Sequence, residues 1–243
     1  MNPANHKAVK VGKLILLISL LAWFSSSFPV FGDMPATPYS HSVISRDNRF
    51  VFVMIAPGSL EHDAWGSPEN IKADARRIRA KYQISGLYLN DGGTTPLWSV
   101  DWYAHQVFVS SDGVHLVRRG PWASDGSNEA LTFYENGKEI RSYQVRDLVD
   151  STWFLPHTVS HFTWAKTIEL DDARRTLEVI TEYGDRYSFD LVTGKIVHSW
   201  RRTRILAASG LIVVAVLVIL SAMFVRRRML RRASSKRVAS DVA

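Results

Sequence analysis

Turn signals recur along the middle of this chain every 8–12 residues or so, each flanked by residues that favour strands. Gln106–Ser110 and Val114–Arg118 flank Ser111-Asp112-Gly113. Ala130–Tyr134 and Glu139–Val145 flank Asn136-Gly137, and Leu177–Tyr183 and Arg186–Leu191 flank Gly184-Asp185. Thr193-Gly194 then turns into Lys195–Trp200. Asp-Gly and Asn-Gly supply the positive-φ positions of tight hairpins. This spacing predicts a mainly β, antiparallel fold. Arg49–Ile55 adds a continuous apolar run of strand length. One helix is expected near 68–81, where Ser67 reads as the N-cap and Pro68 as the first helical residue. Ile71, Ala75 and Ile78 then mark its apolar face.

Two segments echo each other. Ser45-Arg-Asp47-Asn48-Arg49 and Ser110-Ser-Asp112-Gly113-Val114 both read Ser-x-Asp-(Asn/Gly), 65 residues apart, and both run on to a proline, Pro57 or Pro121. The pattern resembles the Ser-x-Asp-Gly hairpins of β-propeller-like repeat proteins, where one such turn recurs in each blade. The resemblance covers two short segments, and Asp-Gly turns occur in many hairpin proteins. It implies four-stranded units. About twelve strands make three such groups, fewer than the four blades a propeller needs to close. A partial propeller-like array and a plain antiparallel β-sandwich both fit the pattern.

The ends of the chain are apolar. Leu14–Phe24 follows Lys7, Lys10 and Lys13 and is too short to span a bilayer. It reads as the core of a signal peptide over 1–32, with an uncleaved signal anchor as the alternative. Ile205–Val225 carries no charge and is long enough for a transmembrane helix. Arg201, Arg202 and Arg204 precede it, and seven basic residues follow within 226–243. The positive-inside rule therefore predicts a cytoplasmic tail at 226–243 and a single-pass membrane protein whose main domain, 33–200, is periplasmic or extracellular. The expected partner of both ends is the lipid bilayer.

The net charge of +7 belongs to those ends, because residues 33–200 carry 17 Lys and Arg against 22 Asp and Glu. Basicity thus gives no reason to expect nucleic-acid binding. The chain has no cysteine, which removes disulfides, thiolate ligands and a cysteine nucleophile, and leans towards a bacterial envelope protein.

The stretch from Tyr88 to Trp122 is richest in chemistry. Trp98, Asp101, Trp102, Tyr103, His105 and Trp122 form a candidate binding set, an aromatic-walled cleft with an acid and an imidazole at its mouth. In the competing structural reading Trp98, Val100 and Trp102 share one buried sheet face and Asp101 points outward. His157 and His161 are the metal candidates. On a single extended strand they would lie some 13 Å apart, too far to share an ion. Asp171-Asp172 reads as a solvated hairpin loop. No Gly-x-Ser-x-Gly, Ser-x-x-Lys or Walker loop occurs, and no cofactor is expected. Two functions follow as expectations. One is a membrane-anchored extracytoplasmic binding module for a protein, peptide or glycan. The other is a membrane-tethered hydrolase, metal-dependent in one form, using Asp101, His105, His157 and His161.

Overall fold

A computed structural model describes residues 37–59, 63–203, 206 and 210–223. The fold is mainly β. Twelve strands form three four-stranded antiparallel sheets, each a meander in which consecutive strands are neighbours. The first holds β1 (His41–Ile44), β2 (Phe50–Met54), β3 (Gly86–Leu89) and β4 (Trp98–Ser99). The second holds β5 (Val107–Val109), β6 (His115–Arg119), β7 (Glu129–Glu135) and β8 (Lys138–Gln144). The third holds β9 (Ala165–Asp171), β10 (Thr176–Thr181), β11 (Arg186–Asp190) and β12 (Ile196–Trp200). The described strands thus divide among three sheets rather than the two of a sandwich.

The first strands of the meanders lie inward, β1 against β5 and β5 against β9. Because each meander starts in the same sense, alternate connections fall at opposite ends. The hairpins 45–49, 110–114 and 172–175 share one end, and hydrogen bonds run between them. Arg49 Nη2 donates to the Ser111 carbonyl at 2.7 Å, and Ser111 Oγ donates to Asp172 Oδ2 at 2.7 Å. At equivalent positions Asn48, Gly113 and Arg175 take positive φ of 61°, 75° and 55°. The amide of each donates to the carbonyl three residues back, in Ser45, Ser110 and Asp172. The repeat seen in two copies is therefore present three times. The third escapes the sequence pattern because Arg174 stands where Asp47 and Asp112 stand in the others. Asp172 is also not a solvated loop residue, since its carboxylate accepts both the Ser111 amide and hydroxyl.

The opposite end carries the long connections and both chain exits, at Pro38 and beyond Trp200. Helix α1 (Glu69–Lys81) lies in the connection between β2 and β3. Pro68, not Ser67, occupies its cap, at φ −55° and ψ 153°, with no side-chain capping bond. Arg79 ties α1 to the sheet, with Nε donating to Asp63 Oδ2 at 2.5 Å and Nη2 donating to the Ala56 carbonyl. Asp63, almost fully buried, also accepts the Ser40 amide and hydroxyl. A short helix α2 (Val145–Leu148), unmarked by any sequence signal, follows β8.

Strand β2 is buried along its whole length, which explains its unbroken apolar run. Phe50, Phe52 and Met54 face the second sheet with Leu116 and Tyr134, while Val51 and Val53 meet Ile78 of α1 and Tyr82, which follows it. A larger core joins the second and third sheets through Leu131, Phe133, Leu148, Leu177, Tyr187 and Phe189. Gly113 is required at the first junction. A Cβ there would sit 2.5 Å from Phe50 Cζ, on a backbone at φ 75° that L residues rarely adopt.

Residues 210–223 form a helix with exposed side chains. The rest of the expected membrane segment 205–225 falls mostly outside the described residues, as do the signal segment 1–32 and the basic tail 226–243. Among the described residues no helix is long and apolar enough to cross a membrane.

Candidate functional site

A cleft of about 580 Å³ opens at the end of the sheets from which the chain exits. Its walls come from the segments that lead into the first strands and from the connection after β6. Pro38 precedes β1, Tyr103 to Gln106 precede β5, and His161 to Trp164 precede β9.

One wall is a stack. Trp122 and His161 lie face to face with ring centroids 3.8 Å apart at 29°. Backbone pairing sets this contact, because Phe162 N donates to the Ala123 carbonyl at 2.8 Å and zips 156–164 to the connection after β6. His161 is further held by Thr158, whose Oγ1 lies 2.7 Å from Nδ1. The other wall is Tyr103 and His105, edge to face at 5.1 Å. Tyr103 is fixed by its hydroxyl, which donates to the Tyr39 carbonyl at 3.1 Å and accepts the Tyr39 amide at 3.0 Å. Burial pushes the Tyr103 phenol up to about 12, so it stays protonated at any physiological pH.

Charge on the floor comes from β6 and β7. Arg118 makes a two-pronged bond to Glu129, Nε to Oε1 at 2.8 Å and Nη2 to Oε2 at 2.5 Å. Its guanidinium also lies over Trp102, 4.8 Å from the ring centroid. Glu129 is therefore committed to Arg118. The neighbouring Arg119 is bonded through Nη1 to the neutral Gln106 Oε1 at 3.0 Å. Burial lowers its pKa from the ordinary value, and no carboxylate among the described residues forms an ion pair with it. Among the described residues, the floor thus presents one guanidinium, that of Arg119, whose side-chain partner is a neutral amide.

The expected site residues divide into two groups. Tyr103, His105 and Trp122 line the cleft, together with His161. Trp98 and Trp102 instead pack on the core between the first two sheets, with Trp98 Nε1 donating to the Gly113 carbonyl at 3.0 Å. Trp102 stacks on Phe52, and Asp101 is exposed beside it. Strand-like alternation from 98 to 102 explains the split. His157 and His161 are not on one extended strand: the segment folds back, with His157 bridging to Phe162 and Thr158 N donating to the His161 carbonyl. His157 Nδ1 lies 2.5 Å from the Leu155 carbonyl. No group of three or more His, Asp or Glu among the described residues is placed to hold a metal ion.

Arg118, Arg119, Glu129 and Trp164 were not among the sequence candidates. The run Arg118-Arg119-Gly120-Pro121-Trp122 marked the first two, a basic pair entering a turn that presents an aromatic. Nothing local marked Glu129, which reaches the site only through the register of β6 against β7, Arg118 opposite Thr132. The chain matches no protein-family model, and no curated protein matches it in sequence.

Proposed function

We propose that this chain is a membrane-anchored extracytoplasmic binding module, built as a partial propeller-like array of three blades on a single C-terminal transmembrane helix. The cleft between Trp122–His161 and Tyr103–His105 is its ligand site. The observation that carries the reading is Arg119. A partly buried guanidinium at the floor of a concave site, with its neighbour's carboxylate already taken, favours an anionic group. The exposed face of Trp122 favours a flat or apolar body beside it. The ligand is accordingly a molecule or chain end with one carboxylate or phosphate and one apolar face; an acidic glycan or a peptide C-terminus meets that description.

The test is thermal unfolding of the detergent-solubilised chain across a panel of aryl and acyl carboxylates and organic phosphates. Saturable stabilisation by a subset, lost in both Arg119→Gln and Trp122→Ala, supports the site. Stabilisation unchanged in both variants counts against it. The hydrolase alternative gains no support from geometry, because Asp101 and His157 do not line the cleft that holds His105 and His161.

A further inference from the structure

The exposed Trp and Phe side chains of the described residues share a location. Trp65, Trp122, Trp153, Phe154 and Trp200 are the ones on the surface, and all five lie at the end where the chain exits. Trp65 is in the connection between β2 and β3, Trp153 and Phe154 follow α2, and Trp200 closes β12. The hairpin end exposes aliphatic side chains such as Leu89, Leu97 and Val192, but no Trp or Phe.

Trp153 and Phe154 are the most exposed of the set, at 85% and 75%. Their turn is nevertheless held in place. Leu155 N donates to the Thr152 carbonyl at 3.3 Å, and Phe154 N donates to Tyr183 Oη at 3.2 Å. The segment is also clamped to the departing chain, since Arg201 donates to Asp150 Oδ1 at 3.0 Å and to the Asp147 carbonyl at 2.9 Å. Two large aromatics are therefore presented to solvent by a fixed turn, beside the residues that lead into the apolar segment 205–225.

We propose that Trp153 and Phe154 dock on the lipid surface and seat the domain on the bilayer with its cleft end down. Indole rings and their neighbours favour the headgroup region, where the apolar face is covered and the polar edge stays wet. Arg202, exposed at the start of the departing chain, suits anionic headgroups, whereas Arg201 is taken by the clamp to Asp150. The tether brings the aromatics to the surface, and the aromatics fix the tilt. This rests on the membrane-anchored reading, and the experiment separates the two.

Because the chain has no cysteine, single spin labels can be placed cleanly. The full chain is reconstituted in phosphatidylcholine–phosphatidylglycerol vesicles as Phe154→Cys, Asn48→Cys or Ala215→Cys, with Trp153→Cys as a second reporter of the turn. Collision with oxygen and with a water-soluble nickel chelate is then measured. Docking predicts loss of nickel-chelate accessibility at 154 and 153, while 48, at the hairpin end, stays fully accessible. Accessibility at 154 and 153 equal to that at 48 overturns the docking. A label at 215 buried in lipid while 154 and 153 remain in water overturns docking and leaves the tether standing. A label at 215 in water with 154 and 153 in lipid does the reverse.

Discussion

Ser111 bonds twice to Asp172, its amide to Oδ1 at 3.1 Å and its hydroxyl to Oδ2 at 2.7 Å, and so joins the hairpin of the second sheet to that of the third. The same serine accepts Arg49 Nη2 through its carbonyl, so one residue links all three meanders. A bond from a neutral donor to a charged acceptor contributes about 1.5–3 kcal/mol when little water competes. Asp172→Ala is expected to cost about 2 kcal/mol. Urea unfolding checks this, and a midpoint equal to that of the unaltered chain would show the link to be idle.

Asp112 gives the hairpin end an acid limit. Burial opposes its charge, but the amides of His115 and Val114 and the His115 ring hold its carboxyl down to about 2. A carboxylate whose folded pKa is depressed stabilises the fold above its unfolded value and loses that effect as pH falls through the folded value. Stability should therefore drop between about pH 4 and pH 2, and the drop should shrink in Asp112→Asn. Thermal unfolding at half-unit pH steps reads both.

Asp63 is the anchor of α1. Removing it leaves the Arg79 guanidinium, only 18% exposed, without its carboxylate. Breaking a buried pair on one side costs about 3–5 kcal/mol. Asp63→Ala should approach that cost, while Asp63→Ala/Arg79→Met should recover part of it. Chemical denaturation of the two variants decides. Equal stability of both would mean that the pair is not the source of the loss.

Gly113→Ala tests the junction of the first two sheets. The added methyl meets the Phe50 ring on a left-handed backbone, so strain and overpacking combine to about 2–4 kcal/mol. Phe50→Leu should relieve the overpacking but not the backbone strain. A double variant no more stable than Gly113→Ala would show the contact to be unimportant.

Where a turn residue and an alternating strand coincide, the fold is legible in the chain. Strands β5 to β8 and β10 to β12 fall within a residue or two of the runs flanking Asp112-Gly113, Asn136-Gly137, Gly184-Asp185 and Thr193-Gly194. Strands β1, β3 and β4 are short and are defined by their neighbours: β2 pairs with β1 and β3, and β3 pairs with β4. Strand β9 mixes charged, polar and apolar residues without a strict alternation, Lys166 and Glu169 lying three apart, and its partner β10 reveals it. Trp122 and His105 announced a cleft because aromatics and imidazoles are informative wherever they stand. Glu129 did not, because its role depends on reaching Arg118 across the sheet. The straight strand expected to carry His157 and His161 is instead a segment that folds back on itself, a geometry that no spacing of residues announces.

The proposed topology puts the three-sheet domain outside the cytoplasm on a C-terminal span. Alkaline phosphatase, active only after export, tests it when fused at about residue 150 and, separately, after residue 230. Activity is expected at the first position and none at the second. Activity after 230 with none at 150 would contradict it.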